Sequence, residues 1–228
     1  MTLELRTQTF AITLAAVVAV TLLYWGYSAH RKSEVRKVVA ELVKDTGRRL
    51  QEALAIETGA ASADDAQTVR KLDDHAQEVD RYALELRGLG ASPNRALVDA
   101  ADEYILTARQ ILRNQASSHR YRIQLSASNQ ALREHMRTAG RRSGAWIERA
   151  LAAKDRLDRD YFDYRLAVET FVRLLESYPD VRKSLAVQIG SAPFPDDELA
   201  RQARRRAQES AKRAAQEIER AKQLAAVR

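Results

Sequence analysis

Cysteine is absent from the 228 residues. That excludes disulfides, thiolate nucleophiles and Cys-ligated metals. Backbone breakers are scarce, with 8 Gly and 4 Pro, and most fall within 88–93, 140–144 and 179–195. Aromatic residues make up only 6%. β-Branched runs do not occur beyond the first 30 residues. A chain this poor in breakers and rich in Ala, Glu, Arg, Leu and Gln is a helix former by propensity. Motifs of chemistry are missing too. There is no HExxH, no Glu-x-x-His, no GxGxxG and no P-loop. His30, His75, His119 and His135 are scattered, and Ser143 lacks the strand-turn-helix setting of a nucleophile elbow. No catalytic, cofactor-binding or metal-binding residue is predicted, and the chain is not expected to be an enzyme.

Between Arg6 and His30 lie 23 residues without a charge. About 20 helical residues span a hydrocarbon core of about 30 Å, so a transmembrane anchor is predicted over 8–29, after a short tail of 1–7. Tyr24, Trp25 and Tyr27 cluster at its end, where amphipathic rings favour the headgroup layer. A cleaved signal would need a small residue where Tyr27 stands. Arg31, Lys32, Arg36, Lys37 and Lys44 follow the stretch, and the positive-inside rule would keep the body in the cytoplasm. The layout of a bacterial inner-membrane protein with one N-terminal span points to the extracytoplasmic side, and that is the side expected here.

Beyond the anchor, apolar residues recur with the alternating three-and-four spacing of packed helices. Val35, Val39, Leu42, Thr46, Leu50 and Leu54 mark one face. Val69, Leu72, Ala76, Val79, Ala83 and Leu86 mark a second, and Ser62 is a fair N-cap before it. Leu97, Ala101, Tyr104, Ala108 and Ile111 begin a third. Trp146, Leu157, Tyr164, Phe171, Leu175 and Tyr178 belong to the strongest, which Pro179 should interrupt. Four such stripes on short connections predict an all-α chain: an antiparallel four-helix bundle over 30–190 with coiled-coil-like packing. A Pro-containing linker over 191–197 and a basic helix over 198–228 follow.

Two features carry the functional expectations. The third stripe is interrupted by Gln115, Ser118, Arg122 and Asn129. Buried without partners, these groups would cost several kcal/mol in total. Three arrangements avoid that cost: exposure by rotation or a break of the helix, a satisfied polar layer, or a ligand pocket with Arg122 as anion anchor. In the final helix, nine Lys or Arg face three Glu over 199–228, a balance of +6 within a total of +7. Arg201, Arg204, Arg205, Arg206, Lys212 and Arg213 are its candidate partner-binding residues. With only four large aliphatics, Leu199, Ile218, Leu224 and Val227, this tail is expected to stand apart until it meets a partner. No aromatic follows Phe194, so nucleic acid lacks a stacking partner. The acidic cluster Asp155, Asp158, Asp160 and Asp163 is matched by Lys154, Arg156 and Arg159 and is read as helix ion pairs rather than a cation site.

These residues predict a membrane-anchored, non-enzymatic interaction or scaffold module that meets a protein partner, or another copy of itself, through its helices. The alternative is a membrane-tethered sensor domain signalling through a partner protein. The layout is similar to that of chemoreceptor input domains, which also run from a first membrane helix into a four-helix bundle. It departs from them in showing neither a second membrane helix nor a signalling hairpin.

Overall fold

A computed structural model describes residues 2–59, 65–90, 94–137 and 143–226, without the side chains of 2–19, 22, 23, 65 and 224–226. Five helices are found among them: α1 (Thr2–Thr58), α2 (Asp65–Gly88), α3 (Arg95–Arg137), α4 (Gly144–Ile189) and α5 (Asp197–Ala226). The fold is an all-α packed bundle. Ser62 and the turn at 138–142 lie outside the described residues.

Among the described residues, no helix is long and apolar enough to cross a membrane. Most side chains of the expected anchor at 8–29 lie outside the described set. Tyr24, Trp25 and Tyr27 at its end are exposed. The backbone of α1 is one helix of 57 residues, about 85 Å long, and its first buried described residue is Val35.

Cross-helix contacts fix the directions. Asp80 pairs with Arg113 at 2.6 Å, and Asp73 pairs with Arg120, so α2 and α3 are antiparallel. His135 meets the Trp146 carbonyl at 3.0 Å, while Tyr104 lies beside Tyr178, so α3 and α4 are antiparallel and form the longest shared seam. Gln115 and His119 reach Ala53 and Glu57, so α1 runs parallel to α3. Toward the α3–α4 connection the core comes from α3, α4 and α5 alone, through Leu132, Met136, Leu157, Ile218 and Ala221.

The predicted stripes are the faces that are buried. Leu72, Val79, Leu86, Leu97, Leu132, Leu157, Phe171 and Leu175 all lie in one core, with Trp146 packed at its edge. Ser143 caps α4, accepting from the Trp146 amide at 3.3 Å, and Asp196 accepts from the Leu199 amide at 2.9 Å before α5. Two expectations need correction. Pro179 does not interrupt its helix: α4 runs through it to Ile189, and Gly190 at φ 80° ends it. Packing of Leu175, Tyr178 and Leu185 on either side outweighs the lost hydrogen bond.

The second correction concerns the tail. The basic helix does not stand apart. It packs on α4, α1 and α3, and Ala200, Ala203, Ala207, Ile218 and Ala221 are buried. The reason is its alanines. Ala200, Ala203, Ala207, Ala211, Ala214 and Ala221, with Ile218 among them, repeat the three-and-four spacing, and the small alanine side chains let helix backbones approach closely. Counting only large aliphatics misses this stripe.

Candidate functional site

The polar interruption of α3 lies inside the bundle. The helix neither breaks nor turns these groups outward at Gln115 and Ser118, which are both buried. Gln115 Nε2 donates to the Ala53 carbonyl at 2.9 Å, and its buried Oε1 has no protein partner. Ser118 Oγ donates to the Gln115 carbonyl at 2.7 Å. Exposure is therefore the wrong reading for this pair; a bond across to α1 offsets the burial of Gln115, and a bond within α3 that of Ser118. Arg122 and Asn129 are half-buried, and Asn129 stands apart from the group, its Oδ1 buried without a protein partner.

The centre of the cluster is a residue that the stripe did not single out. His119 is buried, and its Nε2 lies 3.1 Å from Glu57 Oε2 in the last turn of α1. Its Nδ1 lies 3.1 Å from Arg122 Nη2. A guanidinium only donates, so Nδ1 must accept, and the ring proton sits on Nε2 facing the carboxylate. The imidazole thus bridges an acid and a base. Glu57 sits at a helix C-terminus, where the dipole disfavours an acid, which makes the partner valuable. Tyr164 from α4 donates to Ser210 of α5 at 3.2 Å on the far side, and burial raises the Tyr164 pKa.

Together Glu57, Ser118, His119, Arg122, Tyr164 and Ser210 line a cavity of about 10 Å³. That is roughly the space one water needs, and too little for an organic ligand. Residues of four helices meet there in one polar layer. Among the described residues no cluster of three or more His, Asp or Glu is placed to hold a metal ion. Glu57 and His119 were legible only as one carboxylate ending a helix and one histidine beside a stripe position.

The six tail residues do not form one surface. Arg201 pairs with Glu198 at 2.8 Å, Arg213 with Glu209 at 4.0 Å, and Arg204 is half-buried against Glu176 at 3.5 Å. Arg205 and Arg206 border a shallow groove of about 330 Å³ with Thr58, Gln202 and Glu209. Lys212 lies along a separate groove, between α4 and α5. Among the described residues these last three cations form no ion pair. In the acidic cluster Arg156 pairs with Asp160 at 3.9 Å, as expected. Asp160 also accepts from Ser128, and Asp158 pairs with Lys222 of α5, contacts that no local spacing shows. Compared with protein-family models, curated proteins and solved structures, the chain matches none.

Proposed function

We propose that this chain is a membrane-anchored, non-enzymatic interaction module, in which a single span over 8–29 holds a helical bundle at the bilayer surface for a protein partner. The observation that carries it is the continuity of α1, one helix from the uncharged stretch into the core at Val35 and on to Glu57. The exposed rings of Tyr24, Trp25 and Tyr27 fall where the headgroup layer would be, with Arg31 and Lys32 just beyond. In this reading the body lies on the extracytoplasmic side, as the layout of a single N-terminal span suggests. Extraction of membranes with high salt and carbonate tests the anchor: the intact protein should stay in the pellet with residues 1–29 retained. A soluble form whose N-terminus begins near His30 would overturn it.

A sensor is the second reading. Its support is the Glu57–His119–Arg122 layer, which ties the end of α1 to the middle of α3. A shift of that layer would move the helix that continues toward the membrane, and a partner would have to read the movement.

A further inference from the structure

We propose that the groove between α4 and α5 seats one amphipathic helix of a partner protein whose flanks are acidic. This rests on the reading of the chain as an interaction module and names the class of partner. The groove has a volume of about 420 Å³, and Tyr161, Val168 and Val172 of α4 line it opposite Ala211 and Ala215 of α5. Alanines on one wall let a third helix approach to about 8–10 Å between axes, the distance at which helices interlock.

Exposed apolar side chains recur beyond the groove toward the start of α4, with Asp155 and Asp158 between them. Phe162 and Leu151 are 55% exposed and Ile147 is 47% exposed. From Ile147 to Val172 the rise is about 38 Å, or about seven turns, the reach of one long helix. Several large apolar side chains uncovered along one side of a helix mark a contact surface rather than scattered exposure.

Charge selects the occupant. Lys212 borders the groove, and Arg205 stands two turns earlier on the same face of α5; both are exposed and neither forms an ion pair among the described residues. Of the acids on this side of α4, Glu169 is held by Arg165 at 3.4 Å and Asp158 by Lys222, while Asp155 is offset by the neighbouring Lys154. The net charge left beside the apolar side chains is therefore the positive charge of α5, and an acidic flank answers it. A second copy docked symmetrically would bring the same net positive face against itself, which disfavours self-pairing.

The test uses the full chain in nanodiscs and two synthetic helical peptides of about 25 residues, with the same Leu/Ala stripe and either Glu or Lys flanks. Fluorescence anisotropy should show the Glu-flanked peptide binding at least about tenfold more tightly, with affinity falling as salt rises. Lys212→Glu should weaken it several-fold, and Ala215→Trp, which fills the groove, should remove it. Phe162→Lys alters only exposed surface, so it keeps the test decisive should the tryptophan variant misfold. Equal affinity for the two peptides, or affinity unmoved by Lys212→Glu and Phe162→Lys, would overturn the proposal. So would self-association of the chain that Phe162→Lys abolishes, which would assign the face to a second copy. Carbonate extraction tests the anchor separately, so failure of one does not mimic failure of the other.

Discussion

A Cβ placed on Gly47 would lie 2.6 Å from the carbonyl oxygen of Phe194, so α1 and the α4–α5 connection touch backbone to backbone. That connection is clasped from several sides. The Tyr104 hydroxyl donates to the same Phe194 carbonyl, and the Tyr178 hydroxyl donates to the Pro195 carbonyl at 2.8 Å. Arg182 donates to the Pro193 carbonyl at 2.7 Å and pairs with Asp197 at 2.9 Å. Both tyrosines are buried, and burial pushes their pKa values far up.

Gly47→Ala therefore opposes two effects. Alanine in a helix interior favours the fold by about 1 kcal/mol over glycine. Forcing a methyl group against a held carbonyl costs about 1–3 kcal/mol. The clash should win, because the oxygen it meets is backbone pinned by Tyr104. The expected result is a lower melting temperature and faster amide exchange in α5. A stabilised variant would mean that the connection does not sit on α1.

The tail offers a second prediction. Ala203 is fully buried, and α5 covers parts of α1, α3 and α4. Ala203→Glu should cost about 2–5 kcal/mol, because an unpaired carboxylate would enter a closed helix interface. Arg220→Glu on the exposed face should cost less than about 0.5 kcal/mol. Thermal melts of the two variants settle whether α5 is a structural member of the bundle; equal melting temperatures would return it to the status of a free tail.

The sequence-level reading succeeds and fails for physical reasons that particular residues show. Leu72, Val79, Phe171 and Leu175 were legible because large apolar side chains at helical spacing have one favourable place. The α5 seam was not, since Ala203 and Ala207 are common on exposed helices too, and only tertiary packing tells the cases apart. Gln115 and Ser118 were legible as an anomaly but not as a solution. Their partners, the Ala53 carbonyl on α1 and the Gln115 carbonyl within α3, are both backbone atoms that no side-chain pattern reveals. The sequence over 191–197 reads as a linker, because the bonds that clasp its carbonyls come from Tyr104, Tyr178 and Arg182.

His75 supplies a pH dependence. It packs beside Glu52 at 3.7 Å, and burial lowers its pKa from the ordinary value, with Glu52 opposing the shift in part. The folded chain thus resists protonation that the unfolded chain accepts. Stability is complete above about pH 6.5, the unfolded value, and is lost as pH falls from there through the lower folded value. His75→Asn should flatten the decline of urea midpoint just below pH 6.5. An unchanged slope in that variant would assign the decline to other groups.

The Glu57–His119 pair gives the last prediction, because both side chains are nearly closed off from water, 11% and 7% exposed. Removing one partner of a buried polar pair leaves the other desolvated and unmatched, at a cost of about 3–5 kcal/mol for a charged group. His119→Leu abandons the Glu57 carboxylate and should approach that range. Glu57→Leu leaves an imidazole that Arg122 still contacts at 3.1 Å, and should cost less. Replacing both residues by Leu should recover much of the loss, since nothing charged is then stranded beside the α1 terminus. Arg122→Ala removes a half-buried donor from the edge of the layer and should cost about 1 kcal/mol. Urea denaturation of the two single variants and the double variant measures the coupling directly. If the single losses simply add in the double variant, Glu57 and His119 do not act as a pair, and the layer does not set the register of α1 against α3.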